Sequence, residues 1–132
     1  MIQRTLKIGR WDVEFYFCPD GYDMDALDDR LYDFGAPAGV MREAWELMET
    51  GKENTGFTFS NPLQLRALVA IGPTSGSEEF QDTLVHEIHH LAVAIAKELG
   101  IDLESETPAY IAGDSARALA DTICTLGCRR CR

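Results

Sequence analysis

His86-Glu87-Ile88-His89-His90 is an H-E-x-x-H pentad set in a long stretch of helical apolar periodicity. Few short motifs carry a mechanism as directly. Residues four apart on a helix share a face, so His86 and His90 can offer their ring nitrogens to one metal ion, with Glu87 beside it as a non-ligand. A zinc ion on three protein ligands keeps its fourth position for water and lowers that water's pKa to about 7. A neighbouring carboxylate can then take the proton as the water attacks a carbonyl. Glu87 is placed to be that base, which makes zinc-dependent hydrolysis the leading reading. His89 lies three after His86 and allows an alternative pair, but that register leaves Glu87 no role, so His89 is assigned to the flank. The bland alternative is three histidines decorating a polar helix face. Against it, all 3 histidines of the chain fall within this pentad, beside a glutamate.

A catalytic zinc needs one more protein ligand, and with no further histidine it must be a carboxylate or a thiolate. Downstream runs Ile101-Asp102-Leu103-Glu104-Ser105-Glu106-Thr107-Pro108-Ala109-Tyr110, the turn into a second helix. Pro108 suits its first turn, and Ser105 or Thr107 can cap it. Glu106, Tyr110, Gly113 and Arg117 share one face; Ala112, Ala116, Leu119, Ile123 and Leu126 form a separate apolar stripe. Glu106 is therefore the expected third ligand, with Glu104 and Asp102 as alternatives in the connecting turn. Gly113 is expected to let the second helix approach the first closely.

With these residues in view, the chain resembles the gluzincin type of zincin metallopeptidase, in which H-E-x-x-H on one helix is completed by a Glu from the next. The stretch Glu106-Thr107-Pro108-Ala109-Tyr110-Ile111-Ala112-Gly113, an E-x-x-A-Y-x-x-G pattern, is similar to small zincin-like proteins of phage and prophage origin. The resemblance covers about residues 56–115. It implies His86, His90 and Glu106 as Zn2+ ligands and Glu87 as the catalytic residue. Larger gluzincins often carry an Asp four residues after the ligand Glu; Tyr110 occupies that position here, and Tyr110 or Asp114 is left to orient a ligand. Tyr110, His89 and Arg117 are all candidates to stabilise an oxyanion. The resemblance also makes the strand shortly before the metal helix the sheet edge along which an extended peptide lies, and Leu65–Ile71 is that candidate. Its apolar run equally permits an interior strand.

The elements that must position this chemistry can be read in order. Thr5–Ile8 and Asp12–Phe17 are expected as strands joined by a turn at Gly9-Arg10, followed by an acidic, irregular stretch over 19–35. Val40, Met41, Trp45, Leu47 and Met48 predict a helix over about 38–50, ended by Gly51. Phe57-Thr58-Phe59 and Leu65–Ile71 predict two more strands. Leu84, Ile88, Leu91, Ile95 and Leu99 then form one stripe of a helix over about 78–99. Ser75 or Ser77 is its N-cap and Gly100 its stop.

The 132 residues are read as a single α+β domain over 1–132, a minimal zincin-like fold. Its small mixed sheet packs on the metal helix, with a ligand-bearing helix following. No apolar run approaches a membrane span, and Met1 to Cys18 lacks the apolar core of a signal peptide, so a cytoplasmic protein with reduced cysteines is expected. The net charge of −10 argues against nucleic acid as a partner, the one basic cluster being Arg129-Arg130-Arg132. The partner expected is a peptide or protein substrate. Cys124, Cys128 and Cys131 have the C-x3-C-x2-C spacing of iron–sulfur radical enzymes, but no barrel follows to hold that cofactor, so incidental cysteines are the default. Cys18 is expected as a buried strand residue. The competing function is a zinc-stabilised regulatory or interaction module that does no hydrolysis.

Overall fold

The computed structural model describes residues 1–19 and 23–129, the side chains of 127–129 excepted. Within them lie a mixed four-stranded sheet and five helices, an α+β arrangement. Strands β1 (Ile2–Ile8) and β2 (Trp11–Phe17) form an antiparallel hairpin. It turns where Gly9 takes a φ of +59°, a conformation open to glycine at little cost. Helices α1 (Met24–Asp33) and α2 (Ala38–Thr50) follow, and α2 stops at Gly51, again left-handed. Strands β3 (Gly56–Asn61) and β4 (Arg66–Ile71) pair antiparallel, while β4 runs parallel to β2, so the spatial order is β1-β2-β4-β3. Helices α3 (Ser77–Glu98), α4 (Thr107–Ala118) and α5 (Ala120–Arg129) complete the chain.

Two apolar clusters cover the two faces of this sheet. On one face Val13, Phe15 and Phe17 of β2 and Ala67, Val69 and Ile71 of β4 pack with Leu84, Ile88, Leu91 and Ile95 of α3 and Leu119 and Leu126 beyond it. On the other, Tyr16, Phe57, Leu68 and Ala70 meet Leu27, Leu31 and Phe34 from the α1 side and Ala44 and Met48 of α2. Covering both faces explains why β4 reads as a continuous apolar run, since neither set of alternating side chains reaches water. It also corrects the expectation that Leu65–Ile71 is a sheet edge: β4 lies between β2 and β3, and β3 is the terminal strand on that side.

Other expectations change for local reasons. The stretch 19–35 is not irregular throughout, because α1 occupies 24–33. Leu27, Leu31 and Phe34 form a buried stripe at helical spacing, and the acidic density of Asp25, Asp29 and Asp33 lies on the exposed face. Neither Ser75 nor Ser77 caps α3: its N-cap is Gly76, and Ser75 is held by Asn54, whose Oδ1 accepts the Ser75 N–H at 3.0 Å. At the other end Gly100 (φ +69°) acts as expected. The Gly100 N–H bonds to Lys97 O at 3.1 Å and the Ile101 N–H to Ala96 O at 2.9 Å, the paired bonds of a Schellman stop. Leu99 falls in this stop and is 51% exposed rather than part of the core stripe.

The α4 N-cap is Glu106, without a side-chain capping bond, so Ser105 and Thr107 do not serve; the Ser105 hydroxyl donates instead to Asp102 O. The expected second helix is divided at Leu119, whose N–H is shared between Ser115 O and Ala116 O, both at 3.2 Å. Cys18 lies just past β2 rather than within it, with a φ of 55° and its N–H bonded to Ile71 O. It is disulfide-bonded, which departs from the expectation of reduced cysteines. Cys124 is free and exposed; the side chains of Cys128 and Cys131, and Arg130 and Arg132, lie outside the described residues. Among the described residues no helix is long and apolar enough to cross a membrane.

Candidate metal centre

Helix α3 divides as its periodicity requires. Its apolar stripe is buried, and His86 and His90 are exposed on the other side. Their Nε2 atoms face each other at 3.2 Å. Two nitrogens each 2.0–2.1 Å from one tetrahedral zinc would be roughly 3.3 Å apart, so the pair has the separation of two adjacent ligand positions. Both imidazoles accept through Nε2 when Nδ1 carries the proton. The ligand atoms of His86, Glu87 and His90 all lie within 4.8 Å of one another, and this group can hold a metal ion. His89 is exposed, its ring 6.2 Å from that of His90, on the flank as expected.

Glu87 differs from its neighbours in being 5% exposed. Burial pushes its carboxyl above the usual carboxylate range, while the charges of His86 and His90 and a hydrogen bond from Thr58 pull the other way. The Thr58 hydroxyl, on β3, lies 3.4 Å from Glu87 Oε2 and 3.3 Å from its main-chain oxygen. Gly56, also on β3, makes room for the same side chain: a Cβ there would stand 2.6 Å from Glu87 Cγ and 3.0 Å from Cδ. Neither residue was singled out as functional from the sequence. Their signal was the alternation of β3, in which Phe57 and Phe59 turn to the α2 side and leave Gly56, Thr58 and Ser60 on the face towards α3.

The close approach expected of Gly113 does not occur, since a Cβ there would meet nothing within 4 Å. α4 meets α3 through Ile111, Ala112, Ala116 and Leu119, so Gly113 faces outward.

A groove of about 650 Å³ runs past the centre, lined by Gly56, Thr58 and Ser60 on the strand side and Glu87, His90, Val93 and Lys97 on the helix side. A smaller recess, with Asn54, Asp82 and His86 in its walls, adjoins it beyond Glu87. The phase of β3 follows from the Gly72 N–H bond to Thr55 O at 2.9 Å and the pairing of Phe57 with Ala70. Main-chain groups of Thr55, Phe57 and Phe59 are thereby spent on β4. Those of Gly56, Thr58 and Ser60 point to the outer edge of the sheet, into the groove.

Glu106 is not part of the group formed by His86, Glu87 and His90. It stands exposed at the start of α4, and its Oε2 accepts a hydrogen bond from the Tyr110 hydroxyl at 3.0 Å. The alternatives are engaged locally or exposed: Asp102 Oδ1 accepts the Glu104 N–H at 3.0 Å, and Glu104 faces solvent. Asp114 and Arg117 pair with each other at 3.7 Å on the outer face of α4. Comparison with protein-family models, with curated proteins and with solved structures finds no match to this chain.

Proposed function

We propose that this protein is a zinc-dependent peptidase of the gluzincin type, with His86 and His90 as ligands, Glu106 as the third ligand and Glu87 as general base. The observation that carries the reading is the pair of Nε2 atoms 3.2 Å apart beside a buried carboxylate, at the side of an open groove. A zinc ion there would supply Lewis-acid polarisation of a water or a substrate carbonyl. Glu87 would take a proton from the attacking water and return it to the leaving amine. Tyr110, by donating to Glu106 Oε2, would fix the orientation of that carboxylate.

The substrate would be an extended peptide. Its main chain would pair with Gly56, Thr58 and Ser60 at the outer edge of β3, which takes the place first assigned to Leu65–Ile71. Side chains of alternate residues would then face Val93 and Lys97 of α3, or the solvent. A second reading, a zinc-binding interaction module without hydrolysis, is favoured by one observation: Glu106 lies outside the group formed by the other three residues.

Elemental analysis of protein purified in metal-free buffer and then loaded with zinc separates these from coincidence, with one zinc per chain expected. Incubation with a broad peptide library then separates the two readings. Chelator-sensitive cleavage supports the peptidase. Stoichiometric zinc with no cleavage supports the module, and no zinc removes both.

A further inference from the structure

The HExxH arrangement leaves a question that the spacing does not answer: what keeps the central glutamate off the metal. Glu87 has a ligand oxygen within 4.8 Å of the ligand nitrogens of both His86 and His90, so it is within range of becoming a ligand itself. Its carboxylate is bounded on the strand side by two β3 residues. Gly56 forms a floor without a side chain, directly against Cγ. Thr58 offers a hydroxyl with a single proton to two oxygens, the Glu87 main-chain oxygen and Oε2. Mid-helix carbonyls already accept an i+4 amide. The carboxylate has more to gain from the proton, since a buried ionised oxygen without a donor is costly.

Resting on the reading that His86 and His90 hold a metal, we propose that Thr58 is a positioning residue: its hydroxyl ties Glu87 Oε2 to β3 and so withholds the carboxylate from the metal. Removing the hydroxyl while keeping the branched shape frees the carboxylate to join His86 and His90 as an additional anionic ligand. The effect is then a change in the ligand set rather than a general loosening of the fold. Val keeps the shape and strand preference of Thr, so Thr58→Val retains β3.

The test is a metal titration of the parent, Thr58→Val, Thr58→Ser, Glu87→Gln and Thr58→Val/Glu87→Gln, with Zn2+ for affinity and Co2+ for the visible absorption of the site. Changes in the surroundings of a ligand typically move affinity by about 10–100-fold. Thr58→Val is expected to bind Zn2+ about tenfold tighter than the parent and to show a changed Co2+ band, on the scale of that range. Thr58→Ser should match the parent, and the double variant should match Glu87→Gln alone. An unaltered or weakened affinity in Thr58→Val with the parent's spectrum overturns the proposal while leaving the metal site standing. The same holds if the change persists in the Glu87→Gln background. A parent that takes up neither ion overturns the proposal together with the reading beneath it.

Discussion

Gly56→Ala tests how closely β3 and the metal helix are fitted. The new Cβ would lie 2.6 Å from Glu87 Cγ, 3.0 Å from Cδ and 3.2 Å from the Ala70 main-chain oxygen. Two effects oppose each other. Gly56 is not among the residues with positive φ, so Ala is compatible with the backbone and restricts the unfolded chain, which stabilises by about 0.4–1 kcal/mol. Overpacking a fitted site costs about 1–3 kcal/mol. The nearest atom is the middle of a buried side chain, which cannot swing aside as a surface side chain would, so overpacking should win. The net loss should be about 1–2 kcal/mol, or roughly 3–8 °C in Tm for a chain of this size. In a Glu87→Ala background Cγ and Cδ are gone, and the same Gly56→Ala change should become neutral or slightly stabilising. Urea denaturation of the four proteins, followed by far-UV circular dichroism in the absence of metal, gives this coupling directly. An equal loss in both backgrounds would refute the contact and move the cost to the Ala70 main chain.

Three further outcomes follow from named groups. Glu106→Ala should weaken zinc binding more than Glu104→Ala or Asp102→Ala, measured by competition with a chromophoric chelator; equal retention in all three removes Glu106 as a ligand. Glu14, on β2, is half-buried, which by itself raises its pKa, but hydrogen bonds from Arg30 and Tyr16 and the charges of Arg30 and Arg66 outweigh that and lower it from its ordinary 4.5. The folded-state value being the lower one, this pairing stabilises the fold above about pH 4.5 and the gain is lost as pH falls through the folded value. Glu14→Gln should therefore lower stability at pH 7 and flatten the acid-side decline, and parallel pH profiles for parent and variant would contradict the assignment. Leu91→Ala, at a position that is 0% exposed in the core beneath the metal helix, should cost about 2–5 kcal/mol in the same denaturation assay. A loss below about 1 kcal/mol would mean that the site collapses around the smaller side chain.

Much of this arrangement was legible in the residues. The metal helix was readable because its apolar stripe and its histidines occupy separate faces, and Gly100 marks its end with a conformation few other residues adopt. The hairpin at Gly9-Arg10 and helix α2 were legible on the same grounds. Helix α1 was obscured because aspartates are interleaved with its apolar residues, and Leu27, Leu31 and Phe34 become a stripe only when counted at helical spacing. The place of β4 was not legible, because an apolar run shows that both faces of a strand are covered but not which strands flank it. The partners of Glu87 escaped for a related reason. Gly56 and Thr58 lie 31 and 29 positions before it in the chain, and only the register of β3 against β4 turns them towards it.

The most direct test of the central claim is Glu87→Gln, which preserves side-chain volume and removes the basic carboxylate. Zinc stoichiometry and hydrolysis of a library-selected peptide are measured on the parent and the variant together. Zinc uptake equal to the parent's and a loss of hydrolysis of about 10²–10⁴-fold or more are expected. Undiminished hydrolysis would contradict the role of Glu87 as the base, and loss of the zinc would make Glu87 a ligand.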